Sequence, residues 1–326
     1  MKRIVRIFTE EFPIRGVFRI SRGSSTSVTV VVAEIEADGC IGRGEASPQR
    51  YGMDVDEAVA AMGAACDALE QGISRDELQS LLPPGPVRNG LDLALWDLEA
   101  KQSSTPAWKL AGLDRCDPVI TAWTISLDTP EKMEESARLH HHRPLLKIKL
   151  TGTSDLERVQ AVRRGAPDAR LIVDANESWS PDYYLEIVPA LKELKVELIE
   201  QPFPRGQDKI LASLPRPIPV CADESCRHSG DLQDLSGYYD VVNIKLDKTG
   251  GLTEALKLQQ GARKLNLGIM TGCMVATSLG IAPALLLAQD ADFIDLDGHL
   301  LLAKDRHPGL HTRDHYLLPP QAELWG

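Results

Sequence analysis

The sequence predicts an α/β protein: a closed, modified β/α barrel, (β/α)7β, carrying an α+β capping domain. Three observations predict it. After residue 116, eight short β-rich segments alternate with helical patterns, which indicates parallel pairing. Before that point the order is different, strands first and helices second. Finally, charged residues recur at the ends of the β-rich segments with the period of one strand–helix unit. A chain of 326 residues suits one barrel plus an appendage.

Residues 1–115 read as the capping domain. "RIVRIFTEEF", "SVTVVVAEIEAD" and "CIGRGEASP" alternate as strands joined by Gly- and Ser-containing turns. "DVDEAVAAMGAACDALEQG", "SRDELQSLL" and "RNGLDLALWDLEAKQ" then follow a helical period, the last with Leu91, Leu95 and Leu98 on one stripe. Residues 116–300 are the barrel, with strands expected in "VITAWTISL", "LLKIKL", "LIVDAN", "VELIEQP", "IPVCADES", "VVNIKLD", "LGIMTGC" and "FIDLDG". An open doubly wound sheet is the rival arrangement, but no Gly-x-Gly-x-x-Gly turn follows the early strands. The 180 positions from 119 to 298 are few for a barrel, so a reduced final helix is expected, with residues 301–326 returning to the capping domain.

A net charge of −11 argues against nucleic acid and anionic membrane as partners. The longest apolar runs, such as "IAPALLLA", fall far short of the roughly 20 residues of a membrane span, and the N-terminus lacks an apolar signal core. Six cysteines scattered without CxxC spacing read as reduced thiols, and the expected location is the cytoplasm.

The barrel strands end on Lys149, Asp174, Glu200, Asp223, Lys245 and Asp295/Asp297, and the intervals from Lys149 to Lys245 are 25, 26, 23 and 22 residues. Residues at equivalent heights would ring the upper mouth, where sites on this fold sit. Three acids on adjacent strands, Asp174, Glu200 and Asp223, repel one another in a poorly hydrated site unless a cation joins them. Oxygen-only donors favour Mg²⁺ or Mn²⁺. Lys147 and Lys149 share one face of their strand. Lys149 and Lys245, four strands apart, face each other across the barrel, so one can take a proton from a carbon while the other returns one to the opposite face. Salt-bridge partnership with the acids is the plainer role for the same lysines.

In this order, "KIKL", "VDANESW", "IEQP", "CADES" and "NIKLDKTGG", with "GRGEASP" in the first domain, resemble the enolase superfamily, muconate-lactonising subgroup. The resemblance covers essentially the whole chain and implies a modified TIM barrel, metal ligands Asp174, Glu200 and Asp223 for Mg²⁺, and a lysine base working through a metal-stabilised enediolate, a mechanism already described for that superfamily. "FIDLDGHL" resembles the dipeptide epimerases, whose Asp-x-Asp pair, here Asp295 and Asp297, holds a substrate ammonium. The implied substrate is a small murein-derived dipeptide, L-Ala-D/L-Glu, epimerised at its C-terminal residue. Lys147 would support the α-carboxylate, Lys149 and Lys245 would transfer protons, and Arg22 in "SRGSS" would clamp the Glu side chain. Thr124 is a further substrate contact, Met274 and Cys273 pocket wall, and Trp123 a departure that alters preference if it faces the pocket. An o-succinylbenzoate synthase or another cycloisomerase or lyase of the subgroup is the alternative, and a non-catalytic binding barrel a more distant one. The oligomeric state is left open, a homo-oligomer included. "HHH" at 140–142 reads as a solvated helix end, and "TGG" at 249–251 as a tight turn into a helix.

Overall fold

The computed structural model describes residues 3–20 and 23–326. Three antiparallel strands, β1 (Ile4–Ile20), β2 (Gly23–Ala37) and β3 (Cys40–Ala46), form the capping sheet in that order. The alternation in β2 sends Val31, Ala33 and Ile35 to one fully buried face, against Met62, Leu69 and Leu78 of the following helices. The other face, Val28, Val30 and Val32, is buried too and joins the core that continues into the barrel.

The expected first helix is broken at Ala65 into Val55–Ala64, capped by Asp54, and Cys66–Glu70. A capping box, Ser74 with Glu77, starts Arg75–Leu81. The Pro86–Ser103 helix lays Leu91, Leu95 and Leu98 on the capping sheet, as the stripe predicts. Its other side is equally buried, which the stripe does not reveal. Arg88 donates to the carbonyls of Thr249 (2.7 Å) and Gly250 (2.9 Å), and Trp96 Nε1 to Thr253 Oγ1 (2.9 Å), so this helix is the hinge plate between cap and barrel.

Strand β4 (Val119–Ile120) leaves the barrel. It pairs antiparallel with β14 (Tyr316–Leu317), itself paired with β13 (Thr312–Arg313), while the barrel begins at β5 (Trp123–Ile125). "VITAWTISL" is thus two strands, not one. Strands β6 (Leu145–Lys149), β7 (Arg170–Asp174), β8 (Val196–Glu200), β9 (Val220–Ala222), β10 (Val241–Ile244), β11 (Gly268–Gly272) and β12 (Phe293–Asp295) continue in parallel. The ring is joined where Ala122 N–H donates to Ile294 O at 2.8 Å. Helix reduction is spread over several crossovers, not only the last: β8–β9 holds a single 3₁₀ run, Asp208–Ser213, and β11–β12 two short turns, Ser278–Ile281 and Ala284–Ala288.

Beyond the hairpin paired with β4, parts of the segment after residue 301 touch the cap. Ala303 N–H donates to Pro13 O (2.8 Å), and Trp325, fully buried, donates to Leu93 O (3.1 Å). The described cysteines are all free thiols. No described helix is long and apolar enough to cross a membrane.

Candidate active site

Period-two alternation builds the site in tiers. The barrel floor takes one inward side chain from each strand: Ala122, Leu145, Ile172, Leu198, Cys221, Val241 and Met270, with Phe293 packed against them. Two residues further along, the lining turns polar on seven of the eight strands, with Thr124, Lys147, Asp174, Glu200, Asp223, Asn243 and Asp295, while the remaining strand, β11, contributes Gly272. Another two residues up stand Lys149, Lys245 and Asp297. The sequence placed Lys149 and Lys245 at the height of the acids. Across the ladder Lys149 is paired with Asp174 as expected, but counted from the floor residue of its own strand each lysine stands one step further up than the acids, because barrel strands are tilted and staggered against one another.

Lys147 answers to three acids at once: Asp295 Oδ2 at 2.7 Å, Glu200 Oε2 at 2.7 Å and Asp174 Oδ2 at 3.2 Å. It is 1% exposed, so it lies beneath the mouth and not in it, while Lys149 above it reaches the open cavity. Burial alone would lower the Lys147 ammonium, but Asp295, Glu200 and Asp174 together hold it well above its ordinary range. Lys149 Nζ donates to Asp174 Oδ2 (2.6 Å), and Lys245 Nζ, from the opposite wall, to Asp223 Oδ2 (2.5 Å). Glu200 lies between, with Lys245 at 4.0 Å and Asn243 Nδ2 donating to its Oε1 at 2.7 Å. Both lysines line one cavity of about 330 Å³ together with Met274 and Cys273.

The acids respond in opposite directions. Burial raises all three, but Lys149, Lys147 and Lys245 draw Asp174 well below the carboxylate range, and Lys245 and Lys248 do the same for Asp223. Glu200 is pushed up to about 7, by burial and then by Asp174, against which Lys147 is too little. Asp297 rises to about 6 through burial and Asp295, moderated by the Thr124 N–H that donates to its Oδ2 at 2.7 Å.

The three acids do not share one point as they stand. Among the described residues no group of three His, Cys, Asp or Glu side chains is gathered to hold an ion. Lysine ammonium groups lie against all three acids, the plainer role expected of those lysines. The donor set nevertheless fits a hard divalent cation. It consists of carboxylate oxygens alone, from three adjacent strands, and the buried Glu200 Oε2 has the Lys147 ammonium as its one partner among the described residues.

Two residues that the sequence reading passed over hold this arrangement. Lys248, one helical turn after Lys245, donates to Asp223 Oδ1 (2.7 Å), the Asp223 carbonyl and Asn243 O (2.9 Å). Gln201, in left-handed backbone at φ 38°, accepts the N–H of Asp223 (2.8 Å) and Ser225 (3.2 Å) on Oε1. Its Nε2 donates to Phe203 O, Ser225 Oγ and Tyr239 OH. The signals were present, the i,i+3 spacing of "KLDK" and the residue after the acid in "IEQP", but a spacing does not say what a side chain binds.

The remaining expectations divide. Asp295 and Asp297 are buried and adjacent to Lys147 and Thr124, but outside the cavity lining. Arg22 lies outside the described residues. Trp123 turns away from the pocket and stacks on His140 with centroids 4.3 Å apart and the Arg143 guanidinium 4.9 Å from its ring. Its strand neighbour Thr124 faces inward, so alternation sends Trp123 out. Of the 140–142 histidines only His140 is half-buried, whereas His141 and His142 are exposed, as expected.

Comparison with known proteins agrees with this architecture. Residues 131–322 match the enolase C-terminal domain-like family, and residues 2–112 the mandelate racemase / muconate lactonizing enzyme N-terminal domain. The chain is 44% identical to an L-Ala-D/L-Glu epimerase of Escherichia coli (strain K12), over 94% of this chain and 97% of that one. It is also 44% identical to an N-acetyl-D-glutamate racemase of Pseudoalteromonas sp, over 92% and 95%. A crystal structure of an enolase family member from Agrobacterium tumefaciens with homology to dipeptide epimerases, with bound sodium and L-Ala-L-Glu, superimposes with a TM-score of 0.98 at 46% identity, covering 99% of this chain and 100% of that one. With the eight-stranded barrel, the antiparallel cap and the ordered row of acids and lysines, the chain belongs to the enolase superfamily, in its mandelate racemase and muconate lactonizing branch.

Proposed function

We propose that this protein epimerises dipeptides of the L-Ala-D/L-Glu kind at the α-carbon of the C-terminal residue, by proton transfer between two lysines. The observation that carries the proposal is the placement of Lys149 and Lys245 on opposite walls of one cavity, above a row of acids. A carbon held between them presents one face to each amine. The neutral lysine takes the α-proton, and the protonated one supplies a proton to the other face. In the reverse direction the two exchange protonation states.

Asp174, Glu200 and Asp223 would hold a divalent cation, Mg²⁺ by the hardness of the donors with Mn²⁺ as substitute. When bound, it would supply positive charge at the substrate's α-carboxylate, acidifying the adjacent C–H. Lys147, fixed as an ammonium among three acids, adds permanent positive charge on the same side. Asp297, held by the Thr124 N–H, and Asp295 would receive the substrate ammonium. The substrate class is a dipeptide of the sort murein breakdown releases.

A second reading follows from Asp295, whose Oδ2 is already engaged by Lys147. A substrate without an ammonium, such as an N-acylated glutamate, would not need that pair. Incubation in D₂O with Mg²⁺ separates the two. The expected result is deuterium at the glutamate α-carbon of L-Ala-L-Glu, with L-Ala-D-Glu appearing, and slower exchange on N-acetyl-L-glutamate. Faster turnover of the N-acetyl compound would install the second reading, and no exchange on either would refute both.

A further inference from the structure

We propose that Arg227 is a specificity-determining residue that receives the side-chain carboxylate of the substrate's C-terminal residue; this rests on the epimerase reading above. The cavity is cationic in an acidic molecule. Lys149, Lys245, Lys248, Arg205 and Arg227 line it against Asp223, Glu177 and Glu224, although the whole chain carries −11. Three of those five cations are committed, Lys149 to Asp174 and both Lys245 and Lys248 to Asp223. The two arginines are not. Among the described residues neither guanidinium makes a hydrogen bond or ion pair. Arg205 is exposed on the rim, whereas Arg227 is half-buried and already partly desolvated.

The Arg227 backbone is fixed where its side chain meets the cavity. It stands four residues past Asp223 on the turn leaving β9, and its N–H donates to Asp231 Oδ2 at 2.7 Å. Asp231 also receives the His228 N–H at 3.1 Å, closing the turn. A planar guanidinium presented from a braced turn suits bidentate contact with a carboxylate, which the point charge of a lysine does not reproduce. An acidic dipeptide offers two carboxylates. With the α-carboxylate directed at the cation that Asp174, Glu200 and Asp223 would hold, the second falls to the half-buried one of the two uncommitted guanidinium groups, Arg227. Arg22, the residue the family resemblance suggests for this contact, belongs to a different part of the chain, so the two assignments are separable.

The experiment compares L-Ala-L-Glu with its neutral isostere L-Ala-L-Gln on the wild type, Arg227→Gln and Arg227→Lys, by α-proton exchange and by calorimetric titration in the presence of Mg²⁺. The expected result is a loss of about tenfold or more in the Glu-over-Gln preference of Arg227→Gln, carried by KM with kcat for L-Ala-L-Glu within about threefold, and partial recovery in Arg227→Lys. An undiminished preference in Arg227→Gln, or equal losses on both dipeptides, would overturn the assignment. If the wild type exchanges no α-proton on any dipeptide, the epimerase reading fails by itself. The titration still decides Arg227, because binding of the acidic over the neutral dipeptide must weaken in the variant.

Discussion

Lys149 and Lys245 are alike in chemistry and opposite in position, and that is what a substitution should expose. Lys149→Ala and Lys245→Ala should each lower epimerisation by about 10³-fold or more. Each variant should still wash deuterium into only one of the two stereoisomers, through the base that remains. Mass detection of α-deuterium in L-Ala-L-Glu and L-Ala-D-Glu measures this, and equal residual exchange of both isomers in either variant would contradict the two-face arrangement. At this scale the sequence was informative about which charged side chains come together, because each strand delivers its charge at a fixed interval. It was less informative about contacts. Lys147 and Lys149 look equivalent in "LLKIKL", yet one is sealed under three acids and the other opens to the cavity. That difference comes from the tier above the floor at which each falls, and a tier is defined only once eight strands close on each other.

The capping element is placed by glycine as much as by leucine. Gly42 and Gly44 of β3 bring its backbone against the Pro86–Ser103 helix so closely that a Cβ on Gly44 would run into the Gly90 carbonyl and Ala94 N, which are backbone atoms unable to swing aside. Gly44→Ala should therefore destabilise the protein by about 3 kcal/mol, the upper range for overpacking, read as a lower urea midpoint. Gly63→Ala, inside the Val55–Ala64 helix where nothing lies within 4 Å, should instead stabilise by about 0.5–1 kcal/mol and raise the midpoint slightly. A Gly44→Ala midpoint as high as wild type would show that sheet and helix do not meet this tightly. The glycines of "GRGEASP" were visible in the sequence, but their reason was not, since close approach is a property of two elements. The same holds for "VITAWTISL": its composition is continuous, and only the C-terminal hairpin, nearly 200 residues away, recruits Val119 and Ile120 out of the barrel. Tertiary pairing overrides local propensity there.

Over the whole molecule, cap and barrel meet at a buried carboxyl. Asp247, two residues past Lys245, accepts the Ser47 N–H from the end of the capping sheet (3.0 Å) and Asn89 Nδ2 from the long helix (3.0 Å). Burial, with a smaller contribution from Glu45, pushes it up to about 7 despite those two donors. A free aspartate loses its proton near 4, so between about pH 4 and 7 the folded state holds a proton that the unfolded chain has released. The stabilisation is complete below pH 4 and is lost as pH rises through 7. Asp247→Asn keeps an oxygen for both donors and removes the charge. It should match wild type in denaturation free energy near pH 4 and exceed it by about 2–4 kcal/mol at pH 8, with the gap opening between those values. Urea titrations of both proteins at pH 4, 6 and 8 measure it. A gap that stays constant with pH would mean that Asp247 ionises without cost and that the cap–barrel contact is wetter than its geometry indicates. Because the same turn carries Lys245 at its start, loosening the junction at high pH should also reach the base, so the wild type's epimerisation rate above pH 8 should fall relative to that of Asp247→Asn.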